Sequence, residues 1–67
     1  MDIRQRFGAN VKKYRLIKGL SQEALALEAG LDRTYIPGIE KGERNVSIKV
    51  IDKISKGLNI EIKKLFE

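Results

Sequence analysis

The side chains best suited to chemistry in this chain are Asp32-Arg33-Thr34-Tyr35, and they suit binding rather than catalysis. A guanidinium, a hydroxyl and a phenol in succession can touch nucleic acid through phosphate oxygens or base edges. The sequence has no cysteine and no histidine. Thiol nucleophiles, disulfides, zinc-finger ligation and imidazole catalysis are thereby excluded. Neither a phosphate-cradling glycine loop nor clustered carboxylates around a pocket supply another catalytic constellation. No catalytic residue, metal ligand or cofactor is expected.

Two short helices across a glycine turn must present that run. Ser21 is a good N-cap, because its hydroxyl can accept an amide from the first helical turn. Leu20 before it and Leu25 after it are placed as a hydrophobic staple. Leu25, Ala26 and Ala29 share one apolar face. Gly30 then supplies the left-handed conformation that ends many helices. Leu31, Asp32 and Ile36 repeat the signal of staple, cap and staple. Ala26 and Ala29 are small enough for two helices to cross closely. This is a DNA-binding helix-turn-helix pattern.

The surrounding chain reads as five helices with no strand. The first runs from about Asp2 to Lys18, with Ile3, Phe7, Val11 and Tyr14 on one face, and Gly19 stops it. The second spans about Gln22 to Ala29 and the third about Arg33 to Lys41. Gly42 ends the third, and Glu43 to Val46 form a loop. Ser47 caps the fourth, which turns Ile48, Ile51, Ile54 and Leu58 inward, while Gly57 weakens its end. A short fifth covers about Glu61 to Phe66. Isoleucine spacing of three and four from Ile48 onward favours helix over strand. The expected core is Phe7, Val11, Leu25, Ile36, Ile39, Ile51, Ile54 and Leu65.

Sixty-seven residues with 42% hydrophobic content can bury one modest core, so residues 1–67 are read as a single domain. Fourteen lysines and arginines against nine acidic residues leave a net charge of +5, which favours a polyanionic partner. No apolar run approaches membrane-spanning length and no signal-peptide pattern opens the chain. The absence of cysteine is compatible with the cytosol. A cytoplasmic, nucleoid-associated protein with no membrane partner and no small-molecule ligand is expected.

Arg15, Gly19-Leu20-Ser21-Gln22, Leu25-Ala26, Ala29-Gly30-Leu31, Ile36, Ile39-Glu40 and Gly42 together resemble the phage-repressor-like helix-turn-helix domains, an all-α, five-helix fold. Within that superfamily, Leu31-Asp32-Arg33-Thr34-Tyr35-Ile36, Gly38-Ile39-Glu40 and Arg44-Asn45 look like the controller proteins of restriction–modification systems. The resemblance covers nearly the whole chain. It implies a helix-turn-helix made by helices 2 and 3, with the third lying in the major groove. Arg33 then reads a base, since guanidinium can bond both acceptors of a guanine edge, or else clamps a phosphate. Thr34 touches a thymine methyl or a phosphate. Tyr35 approaches DNA or merely covers the helix pair. Gln22 is implied to bond a phosphate with help from its helix N-terminus. Lys41 neutralises phosphate, and Arg44 and Asn45 clamp the backbone. Arg15 and Glu40 are implied to form a partly buried ion pair between the first and third helices.

Pro37 departs from the family, which usually carries a small polar residue there. Proline has no amide to donate to the Arg33 carbonyl, so a third helix begun at Arg33 is expected to persist with a kink. On that reading Pro37→Ser should stabilise the fold by about 1–3 kcal/mol. Gly38 carries no side chain for base reading, which concentrates direct readout near Arg33 and Thr34. The leading function is a sequence-specific transcription regulator, dimeric on a palindromic double-stranded DNA operator. The alternative is an antitoxin-type protein that uses the same fold to bind a protein partner as well as DNA. Ile60, Ile62, Leu65 and Phe66 offer more apolar surface than a short last helix needs, and some of them are expected at a homodimer interface.

Overall fold

A computed structural model describes residues 2–67; Met1, the first residue of the expected domain, lies outside them. Helix α1 spans Ile3–Ile17. Asp2 caps it: its carboxylate accepts the Arg4 amide at 2.7 Å, and its own amide donates to Gln5 Oε1 at 3.3 Å. Helix α2 spans Gln22–Ala29, where Ser21 Oγ accepts the Ala24 amide at 3.0 Å and Gly30 closes the end at φ 68°. Helix α3 is short, Tyr35–Glu40. Helix α4 spans Ile48–Leu58, capped by Ser47 Oγ on the Val50 amide at 3.2 Å. A 3-10 segment, Ile62–Phe66, stands where a fifth helix was expected. The described residues are all helix, 3-10 segment, turn and loop, with no strand.

Phe7, Val11, Leu25, Ala26, Ile36, Ile39, Ile54, Leu58 and Leu65 form one core, with Tyr14, Leu20, Leu31, Val46, Val50, Ile51, Ile60 and Phe66 packed against it. Two expected inward residues are outside. Ile3 is 64% exposed, because side chains lean toward a helix N-terminus and those of the first turn project past its end. Ile48 is 84% exposed. Each step of three residues stops about 60° short of a full turn, so two steps carry Ile48 about 120° around the axis from Ile54. Burial along α4 follows that drift, from buried Ile54 through half-buried Ile51 to exposed Ile48.

Two glycines set how closely the helices approach. A Cβ on Gly8 would overlap the Ile39 carbonyl oxygen and lie 2.9 Å from that of Glu40, so α1 passes directly against the end of α3. A Cβ on Gly57 would lie 3.0 Å from the Ala29 nitrogen. Gly57 thus admits the end of α2 onto α4, opposite the small Ala29.

The start of α3 differs from expectation. Asp32 Oδ1 accepts both the Thr34 amide at 2.9 Å and the Thr34 hydroxyl at 2.7 Å, closing a turn ahead of the helix. The Tyr35 amide bonds the Asp32 carbonyl at 3.1 Å, and the helix begins there rather than at Arg33. Pro37 consequently occupies the first turn, where an amide would have no intrahelical partner. The hydrogen bond that a proline would have cost does not belong to this helix.

The tail also spends its apolar residues differently. Leu65 is fully buried, and Phe66 stacks on Phe7 with ring centroids 5.2 Å apart. Asn10 Nδ2 ties the tail to α1 through the carbonyls of Leu65 and Glu67, at 3.1 and 2.9 Å. Ile60 also packs on the core, so of the four residues offered to a dimer only Ile62, 41% exposed, is free. No helix among the described residues is long and apolar enough to cross a membrane.

Candidate nucleic-acid interface

A buried polar cluster joins the helices behind the exposed face of α3. Arg15 on α1 donates to both Glu40 oxygens, Nε to Oε2 at 2.6 Å and Nη2 to Oε1 at 3.1 Å. Its remaining Nη1 donates to the Leu20 carbonyl at 2.9 Å, in the turn between α1 and α2. Glu40 raises the Arg15 pKa above its ordinary value, chiefly through the side-chain hydrogen bond. The pair is withdrawn from solvent, with side-chain exposures of 10% and 4%. Gln22 Nε2, from the first turn of α2, donates to Glu40 Oε1 at 3.1 Å. One Gln22 amide hydrogen is therefore spent inside the protein, and the second is left for an outside acceptor.

The exposed residues gather around two hollows on either side of α3. Gln22, Glu23, Arg33, Thr34 and Pro37 line one. Arg33 Nη1 donates to Glu23 Oε2 at 2.9 Å, and both side chains are about seven-tenths exposed. Glu23 was not singled out from the sequence; only its place in the first turn of α2, across the turn from Arg33, points to it. Thr34, itself exposed, directs its hydroxyl hydrogen to Asp32, leaving its oxygen lone pairs to accept. These bonds, the backbone one first, hold the Asp32 carboxyl below the usual carboxylate range.

Tyr35, Arg44 and Asn45 line the other hollow, with Ile39, Val46, Ser47 and Val50 as its floor and wall. The Arg44 guanidinium lies 4.7 Å from the Tyr35 ring centroid, within cation–π range. The Glu43 amide bonds the Gly38 carbonyl at 2.9 Å, which folds the loop back along α3. Lys41 is exposed at the C-cap of α3. Among the described residues, no group of three acidic side chains stands close enough to hold a metal ion.

Guanidinium groups, amides, a hydroxyl and a phenol around a short helix can bond phosphates and base edges together. Known proteins with this chain's pattern are consistent with that chemistry. A profile of the helix-turn-helix family matches residues 11–65. The control protein C.MunI of a Mycoplasma species is 52% identical over 66 residues, covering 97% of this chain and 89% of that protein. The restriction–modification controller protein C.AhdI of Aeromonas hydrophila superposes with a TM-score of 0.90 at 48% identity, covering 94% of this chain and 96% of that one. The structure of C.Esp1396I bound to a 25 base pair operator site superposes with a TM-score of 0.88 at 42% identity, covering 98% of this chain and 87% of that one.

Proposed function

We propose, on the premise that this chain belongs to the helix-turn-helix family and within it to the restriction–modification controller proteins, that it is a sequence-specific DNA-binding regulator of transcription. The observation that carries the reading is the convergence of Gln22, Arg33 and Thr34 on one side of α3 and Tyr35, Arg44 and Asn45 on the other. In this reading residues 1–67 act as one domain, α2 and α3 are the helix-turn-helix, and α3 enters the major groove. Arg33 exchanges its exposed carboxylate partner for a guanine edge. An exposed ion pair is worth at most about 1 kcal/mol, so the exchange costs little. Thr34 supplies the neighbouring contact. Gln22, Lys41, Arg44 and Asn45 bond phosphates, and Tyr35, beside Arg44, approaches the DNA as well.

The partner is a double-stranded operator, bound by two copies with recognition helices ~34–36 Å apart. The apolar surface assigned to self-association is Ile48 with its neighbour one turn on, Ile51, together with exposed Ile62. No residue is given a catalytic role and no cofactor or small ligand is invoked. The protein works where chromosomal DNA is, at the nucleoid in the cytoplasm.

Two variants test the reading on a duplex selected by the wild-type protein. Arg33→Ala should lose about 1–3 kcal/mol and relax preference at one base position per half-site. Arg44→Ala should weaken all sequences about equally and reduce the salt slope by about one unit per half-site. If Arg33→Ala lowers affinity evenly across every sequence, Arg33 is a phosphate clamp and base reading passes to Thr34 and Tyr35.

A further inference from the structure

Gly38 has helical backbone geometry that any residue can adopt; the left-handed glycines are Gly19, Gly30 and Gly42. Glycine in a helix interior costs stability relative to alanine, so conformation does not account for its presence. Space does. A Cβ at Gly38 would lie 3.2 Å from Arg44 Nε, 3.3 Å from its Cγ and 3.4 Å from its Cδ. The side chain passing over that bare backbone ends on the Tyr35 ring, 4.7 Å from its centroid. Tyr35 and Gly38 are three residues apart on α3 and therefore neighbours on one face.

Given the DNA-binding reading above, we propose that Gly38 is a positioning residue: its missing side chain opens the track along which Arg44 crosses α3 to stack on Tyr35. An arginine free in solution must give up rotamer freedom when it grips a phosphate. Stacked on a ring fixed in α3, Arg44 has already given up much of it. The cation is held on the same short helix whose start carries the groove-facing residues. The crowding at Gly38 falls only on a flexible side chain, so alanine there is tolerated by the fold and it is Arg44 that must give way, by a few tenths of an ångström along the track that seats it on the ring.

The test uses the full chain and a duplex enriched from a random double-stranded pool by the wild-type protein. In Gly38→Ala the thermal midpoint should be unchanged or higher. The Arg44 guanidinium Nε proton should lose the ring-current shift expected from its place over Tyr35 in NMR spectra of the free protein. Affinity should fall about two- to fivefold, the range expected for one cation–π contact. Adding Gly38→Ala to Arg44→Ala should cost nothing further. Tyr35→Leu, which keeps Gly38 but removes the ring, should remove the same shift and should be non-additive with Arg44→Ala.

A retained ring-current shift in Gly38→Ala would overturn the proposal. So would wild-type affinity with the shift lost, or losses that multiply in the double variant. A large drop in the Gly38→Ala midpoint would assign Gly38 to the fold instead. Failure of the wild type to retain any duplex would defeat the DNA-binding reading, whereas loss of the shift in Gly38→Ala would still support the placement of Arg44 by Gly38.

Discussion

The Glu40 carboxylate accepts from Arg15 on α1 and Gln22 on α2, while Arg15 also reaches the Leu20 carbonyl. Removing one partner of a buried ion pair strands the other, at a cost of about 3–5 kcal/mol. That is comparable to the whole stability expected of a domain this small. Glu40→Ala should therefore be largely unfolded or close to it in a urea titration, and should lose DNA binding through the fold. Glu40→Gln, which keeps an acceptor, should lose less. Asp2 and Asp32 are held below their ordinary pKa by bonds from Arg4 and from Thr34, respectively. The folded chain then binds fewer protons than the unfolded one, so stability is full above about pH 4 and falls as acidification passes through the lowered values. Asp32→Asn should remove part of that fall in a pH series of melting midpoints. At this scale the Arg15–Glu40 pair was legible through the family resemblance, while the partners of the DNA-facing side chains were not. Arg33 stood out by chemistry and Gln22 and Arg44 through the resemblance, but Glu23, Glu40 and Tyr35 become their partners only after the helices pack.

Among the elements, α2 matches its expected bounds because Ser21 and Gly30 mark both ends by local chemistry. The start of α3 did not follow, because two local signals competed with the apolar spacing: the Asp32 carboxylate captures Thr34, and Pro37 cannot donate to Arg33. With Pro37 in the first turn, its ring fixes a backbone angle that the helix needs and sacrifices no hydrogen bond. Pro37→Ser should then leave the thermal midpoint unchanged or lower it, since serine frees the unfolded chain. A rise matching the ~1–3 kcal/mol expected for an interior proline would instead place the helix start upstream. Gly8 and Gly57 were illegible for a related reason. A glycine inside a helix reads as a local cost until the backbone pressed against it is known. The 3-10 tail likewise reads as surplus apolar surface until Phe7 and Asn10 are seen to hold it.

For the whole molecule, a net charge of +5 provides salt-sensitive attraction to any duplex, and specificity has to come from few side chains used twice. The proposed function therefore includes self-association. Ile48→Lys should shift sedimentation toward monomer and weaken operator binding while leaving the helical circular dichroism signal intact, because Ile48 lies outside the core. The most direct measurement is enrichment of double-stranded DNA from a random pool by the purified chain, run beside Arg33→Ala. The expected result is a two-fold related pair of half-sites about one helical turn apart, with one position per half-site losing its preference in the variant. Retention of every sequence alike, with no half-sites enriched and no difference between the two proteins, would contradict sequence reading by the α2–α3 face.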